Sequence, residues 1–253
     1  MRLQALPAFD DNYIWLLRDA AGHALVVDPG DAAPVLEALG DAAPTAILVT
    51  HHHADHVGGL PALRQRWPLA PVIGPDDARI GGLSRVVHDG DVIDVGPWRF
   101  DVIAIPGHTR SHIAFHGHGL LFCGDTLFSL GCGRMFEGTP AQMQGALAKL
   151  ADLPDDPWIC CAHEYTVSNA AFALAVEPGN PDLQRRAAHA RALRAAGQPT
   201  LPSRLSQEAA CNPFLRCDVP AVRAAAEAHA GRPLQAADEV FGVLRGWKDG
   251  FRG

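Results

Sequence analysis

Short β-branched apolar runs, each closed by turn residues, alternate with brief helical spacings through the first two-thirds of the chain. Residues 13–17 and 24–28, apolar up to the closing Asp28, flank Ala20-Ala21-Gly22, which predicts two paired strands around a turn. Pro29-Gly30-Asp31 leads into helical spacing over 33–39, and Ala46-Ile47-Leu48-Val49-Thr50 is the next predicted strand. A helical stretch is expected up to about Trp67, with further strands at 72–73, 92–95, 98–105, 113–115 and 120–123. A helix over 141–151 precedes a strand that closes at Ala162. Beyond about Ser168 the pattern changes to alanine-rich helical spacing at 169–176, 183–196 and 221–230, punctuated by prolines, and no further strand is expected. Periodicity alone gives α/β or α+β, with residues 1–167 as one domain and 168–253 as a helical second.

Composition narrows the class. The 253 residues can bury a large core, and a net charge of −7 without a basic stripe argues against a nucleic-acid partner. No run is long enough to span a membrane. Asp10, Asp11 and Asn12 fall where a secretory leader would need an apolar centre, so a cytoplasmic protein is expected. Cys123, Cys132, Cys160, Cys161, Cys211 and Cys217 form no CxxC pair and lie mostly in apolar runs, as reduced core thiols would.

The chemistry concentrates in Thr50-His51-His52-His53-Ala54-Asp55-His56, between a predicted strand and a predicted helix. Four imidazoles and a carboxylate in one tight loop are costly to hold together without a cation, and these are the donors that zinc and its first-row neighbours take. The spacing lets His51 and His53 point one way while Asp55 and His56 turn towards a second position; His52, between two ligand candidates, points away. Three more candidates follow apolar runs. They are His108 in Pro106-Gly107-His108-Thr109, Asp125 after Leu121-Phe122-Cys123-Gly124, and His163 after Ile159-Cys160-Cys161-Ala162. One rim of a sheet could gather them all. Asp28, before Pro29-Gly30, reads either as an acceptor orienting a ligand imidazole or as a helix cap. His112 reads as a neighbour of the ligands rather than one of them.

The His-x-His-x-Asp-His pattern resembles the metallo-β-lactamase superfamily. That resemblance implies a four-layer αββα sandwich and two divalent metal ions, with zinc first and iron or manganese also suited. His51, His53 and His108 would bind one ion and Asp55, His56 and His163 the other, with Asp125 bridging. A bridging water acidified by the pair would be the nucleophile, oriented by Asp55. Further along, Gly131-Cys132-Gly133-Arg134-Met135-Phe136, His163-Glu164-Tyr165-Thr166, Asn212-Pro213-Phe214 and Arg245-Gly246-Trp247-Lys248-Asp249 resemble glyoxalase II, the hydroxyacylglutathione hydrolases. The match runs from Met1 almost to Gly253. It implies a monomeric hydrolase of S-(2-hydroxyacyl)glutathione, acting in the second step of methylglyoxal detoxification, with Arg134, Phe136, Tyr165, Arg245 and Lys248 at the glutathione site. Phe136 departs from the tyrosine the family often carries. Independently of any family, Arg245 and Lys248 stand one helical turn apart and could reach one anionic ligand together, or form a solvated helix face with Asp249.

Overall fold

The computed structural model describes residues 1–252 as two compact units. The first comprises residues 1–104 and 111–124, and the second residues 105–110 and 125–253.

In the first unit, β1 (Arg2–Ala8), β2 (Asn12–Arg18) and β3 (Ala24–Val27) form an antiparallel meander. After α1 (Ala33–Leu39), β4 (Ala46–Leu48) pairs parallel to β3. The helices α2 (Ala54–Val57) and α3 (Leu60–Arg66) then lead to β5 (Val72–Pro75) and β6 (Arg85–Val87), both parallel additions. One face of this sheet carries Ile14, Leu16, Val26, Ile47 and Val72, packed against Val35 and Leu39 of α1 and Leu60 and Leu63 of α3. The other face, with Trp15, Leu17, Leu25, Val27 and Leu48, is equally buried. Burial on both faces is why these strands read as continuous apolar runs rather than alternating ones.

A second group, β7 (Val92–Val95), β8 (Trp98–Ala104), β9 (Ile113–Gly117) and β10 (Leu120–Gly124), pairs antiparallel in sequence order. In β8, Trp98, Phe100 and Val102 are buried while Arg99 and Asp101 are exposed, the two-residue alternation of a strand with one wet face. The turn between β9 and β10 falls at His118 and Gly119, both at positive φ.

The second unit begins its regular structure with a ribbon of β11 (Leu127–Phe128) and β12 (Gly131–Cys132). Helix α4 (Pro140–Ala151) opens with a capping box between Thr139 and Gln142 and proline in its first turn. It is followed by β13 (Trp158–Cys161), α5 (Thr166–Val176) and α6 (Pro181–Ala195). Next come β14 (Ser203–Arg204), α7 (Leu205–Cys211), a 3-10 turn at Pro213–Leu215, α8 (Pro220–Ala230) and α9 (Ala237–Gly250). Alanines 170, 173 and 187 let α5 and α6 approach closely around Leu183 and Leu130. The expectation of no strand beyond Ser168 is corrected by β14, which pairs antiparallel with β13 through Trp158↔Arg204 and Ile159↔Ser203. A two-residue pairing across so long a loop leaves no alternation to read. Strand β4 also stops at Leu48, so Val49 and Thr50 already belong to the loop that carries the histidines. Among the described residues, no helix is long and apolar enough to cross a membrane.

Candidate metal centre and adjoining cavity

In the first unit the loop after β4 folds back on the loop after β3. A Cβ at Gly30 would lie 1.8 Å from the Asp55 carbonyl oxygen, so only glycine lets the two loops meet. Asp28, at a positive φ of 52°, organises the meeting. Its carboxylate accepts from the Thr50 amide (2.7 Å), the Thr50 hydroxyl (2.7 Å) and His56 Nδ1 (3.0 Å). That last bond places the His56 proton on Nδ1 and leaves Nε2 as the donor atom for a cation. Helix α1 receives no side-chain cap from Asp28.

The imidazoles converge. His51 and His56 have ring centroids 4.0 Å apart, His51 and His53 4.7 Å, with His51 Nε2 3.1 Å from His53 Nδ1. One atom each of Asp28, His51 and His56 lies within 4.8 Å of the others. Asp55 accepts from the Asn12 amide at 3.0 Å, and its Oδ2 is 3.5 Å from His56 Nε2. His112 stacks on His51 at 4.5 Å and donates from Nδ1 to the Ile113 carbonyl, 3.1 Å away. His52 turns instead towards Asp77, 3.5 Å away. Hydrogen bonds from Arg79 hold that carboxyl well below the usual carboxylate range, and Ser111 donates to it at 2.6 Å.

The second unit supplies a matching set. His108 Nδ1 donates to the Arg134 carbonyl at 2.7 Å, which again leaves Nε2 outward; that nitrogen is 3.5 Å from Asp125 Oδ2. His163 Nε2 is 3.3 Å from the same oxygen. All three side chains are buried. Imidazole nitrogens converging on a buried carboxylate oxygen are the donor set of a divalent metal centre, and the residues present fit one. Glycine is required at 133, where a Cβ would sit 1.9 Å from the Asp125 carbonyl oxygen.

Beside this half-set lies a cavity of about 440 Å³ lined by His108, Asp125, Phe128, Arg134, Phe136, Tyr165, Arg245 and Lys248, among others. The Tyr165 ring stacks on His163 at 4.8 Å, and the largely exposed Phe136 ring meets His108 edge-on at 5.3 Å. Arg245, 4% exposed, donates to the Cys132 carbonyl (2.9 Å) and to Asp249 (2.9 Å). Asp249 also lies 3.5 Å from Arg134 Nε. Lys248 donates to the Ser168 carbonyl at 3.2 Å and sits 5.5 Å from the Phe172 ring. Burial, reinforced by the neighbouring Arg245 charge, brings its pKa down to about 8. The sequence offered Asp249 only as the partner of Arg245 and Lys248 on a solvated helix face; in the structure it lies against both Arg245 and Arg134.

All six cysteines are buried and none is in a disulfide, and burial pushes Cys132 and Cys211 up to about 11 and Cys217 to about 12. Such thiols are inert at neutral pH.

Comparison with known proteins agrees with these features. Residues 8–163 match the model of the metallo-β-lactamase superfamily, and residues 164–251 that of the hydroxyacylglutathione hydrolase C-terminus. A hydroxyacylglutathione hydrolase of Xanthomonas campestris pv. campestris (strain B100) is 56% identical over 254 residues, covering 100% of both chains. One from Xylella fastidiosa (strain M23) is 54% identical over 252 residues, covering 99% of this chain and 98% of its own. Among solved structures, ETHE1 from Myxococcus xanthus superposes with a TM-score of 0.66 at 25% identity, over 96% of this chain and 90% of that one. The BLEG-1 B3 metallo-β-lactamase gives 0.64 at 21% identity, over 85% and 99%, a likeness of fold alone. With its metallo-β-lactamase αββα fold, its helical C-terminal part and full-length identity above half, the chain belongs to the hydroxyacylglutathione hydrolase (glyoxalase II) family.

Proposed function

We propose that this protein hydrolyses S-(2-hydroxyacyl)glutathione thioesters, with S-D-lactoylglutathione as type substrate, to a 2-hydroxy acid (D-lactate) and glutathione, the second step of methylglyoxal detoxification. The observation that carries the reading is one cavity lined both by His108 and Asp125 and by Arg134, Arg245 and Lys248. Metal-type donors and cations in one pocket suit a substrate with a reactive carbonyl and remote carboxylates. The relatives named as hydroxyacylglutathione hydrolases support the same chemistry.

In this reading His51, His53 and His108 hold one divalent ion, and Asp55, His56 and His163 the other, with Asp125 shared. Zinc is the first choice for these donors, with iron and manganese also suited. Bound there, the ions supply Lewis-acid polarisation of the thioester carbonyl and acidify a water at neutral pH. Asp28 and the Arg134 carbonyl keep the protons of His56 and His108 on Nδ1, so both present Nε2. Asp55, steadied by Asn12, accepts a hydrogen bond from the attacking water and orients it. Residues 168–253 act as the glutathione-binding domain, whose Arg245 and Lys248 take the carboxylates together with Arg134 from the preceding part of the chain. Tyr165 offers its hydroxyl, while Phe136 offers only a ring. A thiolate leaves readily, so no protein acid is required. Buried thiols outside any disulfide fit a cytoplasmic enzyme, which in this reading acts as a monomer.

Steady-state hydrolysis of S-D-lactoylglutathione, followed by released thiol, tests the reading. Metal-replete protein that releases no thiol would refute it.

A further inference from the structure

The β11–β12 ribbon forms the cavity's Phe128 and Cys132 wall, yet by itself it is a poor structure. It has two residues per strand, and Leu130 in its turn sits at φ 59°, a conformation that costs a non-glycine residue about 1–2 kcal/mol. What holds it comes from the helices. Asn212, completely buried at the end of α7, donates from one amide nitrogen to the carbonyls of Phe128 (3.1 Å) and Gly131 (2.9 Å), bridging the mouth of the turn. Glu208, one helical turn earlier, accepts from the Leu130 amide and the Ser129 hydroxyl, both at 2.7 Å. Asn169 of α5 donates to the Ser129 carbonyl at 3.1 Å.

We propose that Glu208 and Asn212 are positioning residues for the glutathione site: they lock the Phe128–Gly131 turn and thereby set substrate affinity. The inference rests on the hydrolase reading above and assigns a role to Asn212-Pro213-Phe214, which that reading leaves unused. The lock reaches the cavity by two routes. Phe128 stands edge-on to His163 (5.7 Å) and to Tyr165 (5.3 Å), so its backbone position fixes the cavity wall. Gly131 leads directly into Cys132, whose carbonyl anchors Arg245. His108 is held one step further away, through the Arg134 carbonyl, behind a separate bond from the Gly133 amide to the Thr126 carbonyl. Loosening the turn therefore reaches Tyr165 through Phe128 and Arg245 through Cys132, whereas His108 stays behind the Gly133–Thr126 bond and His163 meets only the edge of the Phe128 ring.

Asn212→Asp keeps the size but sets a carboxylate oxygen against two carbonyls; Ser129→Ala removes one hydroxyl and serves if the first variant fails to fold. Each is compared with wild type, metal-loaded, on S-lactoylglutathione and on a small neutral thioester. The expected result is a KM for the glutathione thioester raised about tenfold, kcat changed less, and a loss on the neutral thioester about tenfold smaller. Equal losses on both substrates, or no rise in KM, would overturn the proposal. If wild type turns over no glutathione thioester, the hydrolase reading fails instead. The lock is then read from hydrogen exchange at the Leu130 amide, and exchange as slow in the variants as in wild type overturns it.

Discussion

On the proposed function, Lys248 makes the cavity that would take glutathione sensitive to pH in a range where its other cations are not. Its ammonium is partly buried beside Arg245, and both effects disfavour the charged form, bringing the pKa to about 8. It is then about nine-tenths cationic at pH 7 and about one-tenth at pH 9. Substrate carboxylates keep their charge across that interval, and arginine keeps its own. Raising the pH therefore removes one attractive charge from the free enzyme. A charge-assisted contact is worth about 1.5–3 kcal/mol, so the loss amounts to roughly 10- to 150-fold in affinity once Lys248 is neutral. The assay is kcat/KM for S-lactoylglutathione from pH 6.5 to 10, divided by kcat/KM for a small neutral thioester at each pH. The division cancels titrations at the reaction centre, which act on both substrates. The ratio is expected to fall through a midpoint near 8, chiefly through KM. Lys248→Arg is expected to flatten the fall at a high value and Lys248→Ala at a low one. A ratio that stays level across pH 8 in wild type, or that falls identically in Lys248→Arg, refutes the assignment.

Three further outcomes follow from the same geometry. Asp28→Asn replaces an oxygen that accepts from Thr50 and His56 with an amide that cannot serve both; metal affinity is expected to fall about 10- to 100-fold, read by competition with a chelator. Gly133→Ala forces a Cβ against the Asp125 carbonyl oxygen, and elemental analysis should find metal content and kcat lowered together. Arg245→Ala leaves the buried Cys132 carbonyl without its donor and should lower thermal stability by about 1–3 kcal/mol while raising KM. It also removes a charge that depresses Lys248, so the pH midpoint should move upward.

The clustered histidines and carboxylates stood out in the sequence because their chemistry is improbable as a surface and because they follow apolar runs. His51, His56, His108, Asp125 and His163 are all buried, a state that imidazoles and carboxylates do not occupy without partners. Elements were legible where one face or both met the core over several residues, as in β2 and β8. Residues 203–204 were not, because a pairing that short obeys no period. Glu208 and Asn212 were opaque for a different reason. A polar residue in an alanine-rich helix reads as a solvated one, and its true partners, Leu130 and Gly131, lie some eighty positions earlier. Local patterning carries no information about a contact at that separation.

His56 and His108 are held in the same way but by acceptors of different kinds, and the difference bears on how binding can influence chemistry. His56 is fixed by the Asp28 carboxylate, which also holds Thr50 and has no part in the cavity. His108 is fixed by a backbone carbonyl, that of Arg134, whose side chain lines the cavity. A ligand pulling on the Arg134 side chain therefore pulls on the residue that orients a metal donor. Two features limit that movement. Gly133 is packed too tightly against Asp125 to shift inward, and its amide is tied to the Thr126 carbonyl. The segment can transmit orientation to His108 without yielding position. On the proposed function, substrate recognition and metal-ligand geometry are thus joined at Arg134, through its side chain on one side and its carbonyl on the other.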